Sequence, residues 1–170
     1  MSAGDLLREE RNTPGSDLGE MIETHIRNGT IVPVEVTCSL LEKAMKKHVA
    51  LRSASGDTAF GAGKFLIDGF PRNQDNFDGW QKTMADKVDF KFVLFFDCSD
   101  DVCVRRCLDR GAAGSGRSDD NEESLRKRME TFEKDTLPIV NYYRTLSKVK
   151  DVDGSKEVDQ VYEDVKKLFQ

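Results

Sequence analysis

The chain has 170 residues, with 31 acidic and 26 basic side chains, a net charge of −5 at neutral pH and a pI near 5.2. This length suits one domain with a substantial core, and the acidic balance argues against non-specific binding to nucleic acid or to an anionic membrane. Because the apolar runs are short and the first residues lack a signal-peptide pattern, we expect a soluble, intracellular protein.

The first half of the chain is predicted to be largely helical. Ser16 can cap a helix with apolar positions at 18, 22 and 26, and Gly29 is placed to end it. Pro33 then opens a second helix. Its inward positions are Val36, Leu40, Leu41, Ala44 and Met45. Residues 50–63 are small, polar and glycine-rich, so we expect a surface loop there.

Two uniform apolar runs, at residues 64–68 and 92–97, predict strands that both end in aspartate. Their lack of polar alternation is typical of a parallel sheet that is covered on both faces. Residues 149–152 predict a weaker third strand. Ligands of open parallel sheets bind beyond the carboxyl ends of strands, so Asp68 and Arg72 are candidate site residues.

The second half of the chain alternates these strands with helical segments. Residues 100–109 predict a helix, residues 111–116 a flexible segment, and Glu122 the start of a long helix that is interrupted near Pro138. A last amphipathic helix is marked by Val158, Val161, Val165, Leu168 and Phe169. Strands separated by helices indicate an α/β fold.

The chain has four cysteines, at positions 38, 98, 103 and 107. A charged chain of this size does not need disulfides, so we expect reduced thiols. Cys103 and Cys107 could share a helix face, but His25 and His48 are remote in sequence. Ordinary buried cysteines are therefore favoured over a metal site.

Gly63 and Lys64 superficially match the end of a P-loop. A P-loop needs Ser or Thr after the lysine and a glycine five residues before the second glycine, but Phe65 and Thr58 stand there. A surface loop is the favoured interpretation. The segment after residue 68 is different, because Pro71 fixes the turn and presents the fork-shaped donors of Arg72 at the sheet edge.

Four motifs follow one another along the chain: SAGDLLR at 2–8, GTIVPVE at 29–35, DGFPRNQDN at 68–76, and GRSDDN at 116–121 followed by Arg128. In this order they resemble the nucleoside monophosphate kinases and, within them, the UMP-CMP kinases. The resemblance implies a parallel sheet flanked by helices in one domain, residues 1–170. Residues 2–32 would form the monophosphate-binding segment and 110–121 a short lid without a zinc-binding cysteine cluster.

The resemblance implies transfer of the γ-phosphoryl group of ATP to UMP or CMP, in pyrimidine nucleotide biosynthesis, by a monomer that uses Mg²⁺. This chemistry needs charge neutralisation and alignment more than a nucleophilic side chain. Arg72, Arg117 and Arg128 would be catalytic. The implied monophosphate-binding residues are Arg8, Thr30, Ile31, Val32, Gly69, Phe70, Pro71, Arg72, Asn73, Asn76, Arg117 and Arg128.

For the donor side, the resemblance implies that Arg110 lies against ATP and that Lys156 marks the loop that meets adenine. Asp68 would orient Mg²⁺ through water. A surface ion pair is the alternative for each. That alternative is favoured for Arg105, Arg106, Arg126 and Lys127.

Asn76 and Asn73 resemble the short amides with which the UMP-CMP kinases read a pyrimidine, where adenylate kinases place a longer glutamine. Ala3 fits the same pyrimidine preference, because adenylate kinases commonly carry threonine at that position. As local turn residues the two asparagines would be unremarkable. Asp119 and Asp120 are expected to pair with lid arginines, with helix capping as the alternative.

The family pattern begins with a strand, a P-loop and a helix that do not occur in these 170 residues. We therefore expect an open apolar edge along residues 65–67, and weak or no phosphoryl transfer by the chain alone. Two alternative functions are an adenylate kinase-like enzyme and a catalytically silent nucleotide-binding protein. A bare α/β scaffold with only surface arginines is a third possibility.

Overall fold

A computed structural model describes residues 1–54 and 63–169. The chain divides into two compact units. The first unit comprises Met1–Ile26 and Ile31–Asp89, and the second unit comprises Arg27–Thr30 and Phe90–Gln170. Within the described ranges, no helix is both long and apolar enough to span a membrane.

The first half of the chain is helical, as predicted. Its helices are α1 Ala3–Arg11, α2 Gly19–Asn28, α3 Val34–Ala54 and α4 Gln74–Met84. The Ser16 hydroxyl accepts from the Leu18 amide at 3.2 Å before α2 begins, and Gly29 follows its end with φ of 67°. Helix α3 continues through Ala54, so the predicted loop at 50–63 is helical over its first five residues. The rest of that prediction, at 55–62, lies outside the described residues.

Helix α1 was not predicted from the sequence. It begins after Ser2, whose hydroxyl accepts a hydrogen bond from the Asp5 amide at 3.3 Å. Asp5 adds a negative charge in the first turn, where the helix dipole favours it. These two residues are the sequence signal that could have revealed the helix.

The core of the first unit lies between α3 and its neighbours. Leu41 on α3 is fully buried, and α3 packs against α1 and α4. Gly79 on α4 permits close packing, since a Cβ added there would lie 2.3 Å from Cγ2 of Val34. The other buried apolar residues of this unit are Ala3, Ile22, Val32, Cys38, Met45 and Met84.

The predicted strand at 64–68 is wrong. In the described part of the chain, Asp68 is the one residue of this run that forms a β-bridge, parallel to Ser2, and Leu66 is 61% exposed. The Asp68 amide donates to the Met1 carbonyl at 2.9 Å, and the Ala3 amide donates to the Asp68 carbonyl at 3.0 Å. The Met1 amine also donates to the Leu66 carbonyl at 2.9 Å, so within the described ranges residues 66–68 hydrogen-bond to residues 1–3, and this pairing is too short to form a strand ladder.

The second unit contains the predicted strands β1 Val93–Asp97 and β2 Val149–Asp153, which pair in parallel with Val93 opposite Val149. The other elements of this unit are α5 Asp100–Ala112, α6 Glu122–Thr131, a π-helical segment Phe132–Thr136, α7 Leu137–Thr145 and α8 Val158–Lys167. The predicted interruption near Pro138 is therefore confirmed. Its α5 extends into the predicted flexible segment and ends before Gly114.

Burial of the two strands is incomplete, so the prediction of a sheet covered on both faces is wrong for the described residues. Helix α7 contacts both strands and α8 contacts β2. Even so, Phe96 is 50% exposed and Val152 is the buried strand residue. The apolar run at 92–97 predicted the strand correctly but overstated its burial.

All four cysteines are free, and Cys38 is the buried one. Burial raises the pKa of the Cys103 thiol to about 11, and the neighbouring Cys98 thiol adds to this effect. Such a thiol is almost entirely protonated at neutral pH and is a poor nucleophile.

Candidate functional site

The turn after residue 68 folds the guanidinium group of Arg72 back over the backbone. Gly69 has φ of 75°, and the peptide bond between Phe70 and Pro71 is cis. The Nε of Arg72 donates to the Gly69 carbonyl at 2.8 Å, and a Cβ added to Gly69 would lie 3.0 Å from Nη2 of Arg72. Glycine is therefore required for the backbone conformation and for the close approach of the arginine.

A second guanidinium group, that of Arg8, lies over Gly4 in the first turn of α1. A Cβ added to Gly4 would lie 3.2 Å from Nη2 of Arg8. Gly4 follows Ala3 and Gly69 follows Asp68, and these two preceding residues are joined by a backbone hydrogen bond. The first unit thus places Arg8 and Arg72 over two glycines that flank one backbone contact, and we call this arrangement the arginine pair.

Asn73 and Asn76 both hold the turn in place. The Asn73 side chain caps α4 by accepting from the Asn76 amide at 2.8 Å. Asn76 is buried, and its Oδ1 accepts from the Arg72 amide at 3.2 Å. The alternative interpretation as local turn residues is therefore confirmed, and reading of a pyrimidine base stays a prediction.

The other predicted acceptor-site and metal-site residues near this turn differ in burial. Val32 is buried and Ile31 is half-buried, before the start of α3. Phe70 packs on Trp80 with ring centroids 5.7 Å apart, a contact that the sequence analysis missed. Pro71 is half-buried, whereas Asp68 is exposed at the end of its bridge. Thr30 is exposed and belongs to the second unit.

The second unit contains two arginine–aspartate pairs around the predicted lid. Nη1 of Arg128 donates to Oδ2 of Asp119 at 2.9 Å. Arg110 makes a two-pronged contact with Asp120, through Nε to Oδ2 at 2.9 Å and through Nη2 to Oδ1. Pairing of both aspartates with arginines is thus confirmed, while Asn121 caps α6 by accepting from the Ser124 amide at 3.0 Å.

The two aspartates differ in how many hydrogen bonds their carboxylate oxygens accept. The Asp120 side chain is 1% exposed and also accepts from the Ser115 hydroxyl at 2.7 Å. These donors, above all Arg110, lower the pKa of Asp120 to about 2. Asp119 is also buried, but its Oδ1 has no hydrogen-bond partner within the described part of the chain.

Arg117 lies in the middle of the lid and is half-buried. Its amide donates to the Ser115 hydroxyl at 3.3 Å. Gly114 and Gly116 on either side of Ser115 have φ of 82° and 66°. An added Cβ would meet nothing within 4 Å at either glycine, so their requirement is conformational.

Arg106 has a role that the sequence analysis missed. Its Nη1 donates to the Gly154 carbonyl at 2.6 Å, and its Nη2 donates to the carbonyls of Ser155 and Lys156 at 3.1 and 3.3 Å. The predicted surface ion pair is therefore wrong for Arg106. Its contacts hold the loop after β2, where Lys156 is located.

Several predicted ion pairs are present at the surface. Nζ of Lys156 donates to Asp164 at 2.9 Å, which raises the pKa of the lysine. Arg126 pairs with Glu122 and Lys127 pairs with Glu123, as predicted.

Arg8 and Arg72 belong to the first unit, whereas Arg117 and Arg128 belong to the second. Convergence of all four on one pocket stays a prediction. Within the described ranges, no group of three or more His, Cys, Asp or Glu side chains could hold a metal ion. An exposed single carboxylate such as Asp68 suits Mg²⁺, which keeps several waters and is often held by one carboxylate together with substrate phosphates.

Comparison with known proteins identifies the family. A family model described as adenylate kinase matches residues 1–148. The UMP-CMP kinases of Gallus gallus and Xenopus tropicalis are each 54% identical over 169 residues, which is 99% of this chain and 82% of the relative. That of Homo sapiens is 52% identical over the same shares. The α/β fold class and the resemblance are confirmed, and the chain belongs to the adenylate kinase family as a nucleoside monophosphate kinase similar to the UMP-CMP kinases.

Proposed function

We propose that the chain binds UMP or CMP as the acceptor of the γ-phosphoryl group of ATP, with Mg²⁺ as the accompanying ion. The arginine pair carries this proposal, because two fork-shaped cations over neighbouring backbone suit a phosphate monoester. The similarity to UMP-CMP kinases supports a pyrimidine acceptor. The product would be the nucleoside diphosphate, as a step in pyrimidine nucleotide biosynthesis.

The proposed roles are those that the family resemblance implies for the acceptor-binding and catalytic residues. Arg8 and Arg72 hold the acceptor phosphate, and the buried Val32 with Ile31 forms an apolar wall next to it. Arg117 and Arg128 act on the transferring group with Arg72. The other proposed acceptor-site residues are Thr30, Gly69, Phe70, Pro71, Asn73 and Asn76.

On the donor side, Arg110 and Lys156 are proposed to bind ATP, and Asp68 to orient Mg²⁺ through water. Asp68 would hold the ion through water, and the ion would supply charge neutralisation at the phosphates. Arg110 is already paired with Asp120. To bind ATP, its guanidinium group must either contact Asp120 and ATP together or break its contact with Asp120. The Lys156 side chain is engaged by Asp164, so the backbone of its loop is the better candidate for contact with adenine.

We also propose the organisation that the resemblance implies. It is a single monomeric domain, with a monophosphate-binding segment at 2–32 and a lid at 110–121. The cytoplasm, with the nucleus as a second location, is the proposed compartment. Analytical ultracentrifugation tests the monomer, and cell fractionation tests the location.

Calorimetric titration with UMP, CMP and AMP tests the acceptor. We expect binding of UMP and CMP with weaker binding of AMP, and Arg72→Ala should weaken UMP binding roughly tenfold or more. Arg126→Ala is the matched control, since it removes an arginine from a surface ion pair. Preference for AMP would favour an adenylate kinase-like enzyme, and an Arg72→Ala protein that binds UMP unchanged would refute the proposal.

The 170 residues alone are proposed to transfer phosphate weakly or not at all, because no P-loop motif occurs within them. A coupled assay of ADP release should compare this chain with a chimera that adds the P-loop segment of a UMP-CMP kinase. We expect turnover by the chimera only. Robust turnover by the 170 residues would contradict this expectation.

A catalytically silent nucleotide-binding protein is the second candidate. One observation favours it, namely that the arginine pair is assembled within the first unit from residues 2–72. UMP binding without turnover, even in the chimera, would support this candidate over the enzyme.

A further inference from the structure

Asp5 is not among the predicted acceptor-site residues, yet it forms an ion pair with Arg8. Its Oδ1 accepts from Nη2 of Arg8 at 2.5 Å, across three residues of α1. The Arg8 side chain is 21% exposed, whereas the Asp5 side chain is 64% exposed. The arginine is thus the more buried partner of the ion pair and the aspartate the more exposed one.

The backbone around this ion pair is well fixed. The Asp5 amide is held by the Ser2 hydroxyl, and the Arg8 guanidinium group lies over Gly4. Ala3, between Ser2 and Gly4, is buried, and its amide donates a hydrogen bond to the Asp68 carbonyl. The Asp5 carboxylate can therefore move away from Arg8 by rotation of an exposed side chain while the helix backbone stays in place.

We propose that Asp5 sets the affinity of the acceptor site, by occupying Arg8 until a phosphate monoester displaces it. This inference rests on the proposed function, in which Arg8 binds the acceptor phosphate. A phosphate dianion carries more charge and more acceptor oxygens than a carboxylate, so it binds the guanidinium group more strongly. The displaced carboxylate then turns into solvent, where its repulsion of the phosphate is screened.

Calorimetric titration with UMP measures this competition directly. Asp5→Asn should tighten UMP binding roughly two- to fivefold, which is the range expected from loss of an exposed ion pair. In an Arg8→Ala background, Asp5→Asn should change UMP affinity much less, because no guanidinium group remains to be released. Asp5→Glu should stay close to the wild type.

Glu9→Gln is the matched control, because Glu9 is an exposed acid one turn further along the same helix. It removes the same charge and should leave UMP affinity nearly unchanged. If Glu9→Gln tightens UMP binding as much as Asp5→Asn does, the effect comes from net charge alone and the inference is overturned. Thermal unfolding of each variant checks that it is folded, and the neutral variant Arg8→Gln replaces Arg8→Ala if the latter is not.

A purely structural role of Asp5 makes the opposite prediction. Loss of an acid from the first turn would destabilise α1, so Asp5→Asn would lower the melting temperature and weaken UMP binding. Unchanged or weaker binding by Asp5→Asn, with UMP bound by the wild type, therefore refutes the inference alone. Failure of the wild type to bind UMP refutes the proposed function and the inference together.

Discussion

Nη1 of Arg106 on α5 donates to the carbonyl oxygen of Gly154, the residue that follows β2. Nη2 of the same side chain donates to the next two carbonyls, so one guanidinium group holds three consecutive peptide units. The Gly154 amide is fixed as well, because it donates to the Asp97 carbonyl at 2.7 Å. The loop after β2 is therefore tied both to β1 and to α5.

Replacement of Arg106 should loosen this loop. We expect Arg106→Ala to destabilise the protein by about 1 kcal/mol and to speed amide hydrogen exchange at residues 154–157. Arg126→Ala is the control, because its exposed ion pair with Glu122 is worth little. If exchange at 154–157 is as slow in Arg106→Ala as in Arg126→Ala, the contacts do not order the loop.

Asp120 should make stability depend on acid pH. Its pKa is lowered to about 2 in the folded protein from an ordinary value of 3.8, so its contribution is complete above pH 4 and is lost as pH falls towards 2. A shift of this size corresponds to about 2 kcal/mol. We expect Asp120→Asn to lose about that much at pH 7 and to lack this part of the acid dependence, as measured by urea unfolding between pH 2 and 7.

Asp119 provides an internal comparison for that experiment. It also pairs with an arginine, but its Oδ1 is buried without a partner among the described residues. Removing its charge relieves an unfavourable burial, so Asp119→Asn should cost less stability than Asp120→Asn. A larger loss at Asp119 would show that its second oxygen finds a donor in solution.

The two glycines beneath the arginine pair should respond differently to alanine. Gly69 has φ of 75°, so Gly69→Ala should cost roughly 1–2 kcal/mol of stability and displace Arg72. Gly4 lies within α1, so Gly4→Ala should gain up to about 1 kcal/mol while pushing aside the tip of Arg8. Urea unfolding and UMP titration together should show that Gly4→Ala is more stable yet binds more weakly.

Local patterns in the sequence predicted most elements of the fold. Gly29 marked the end of α2 and the run at 92–97 marked β1, whereas Ser16 lies three residues before α2 begins and binds the Leu18 amide, because caps and apolar runs act over a few residues. The run at 64–68 did not form a strand because a strand also needs a paired partner, and in the described ranges its backbone pairs with residues 1–3 alone.

The candidate site was predicted in part, for a similar reason. Motif resemblance pointed to Arg8 and Arg72, and the structure places both over glycines. No pattern indicated that Arg106 meets carbonyls 48 to 50 residues further along the chain. The ion pair of Asp5 with Arg8, in contrast, has the helical spacing of three residues and could have been predicted once α1 was recognised.

Gly79 and Val34 control the packing of α4 against α3. A Cβ at position 79 would lie 2.3 Å from Cγ2 and 2.9 Å from Cγ1 of Val34, which is far inside van der Waals contact. Gly79→Ala should therefore cost roughly 1–3 kcal/mol through overpacking, despite the better helix propensity of alanine. Val34→Ala opens space at the same place, so the double variant should be more stable than the sum of the two single losses predicts. Urea unfolding of the four proteins measures this coupling, and strictly additive losses would show that the two side chains do not compete for the same space.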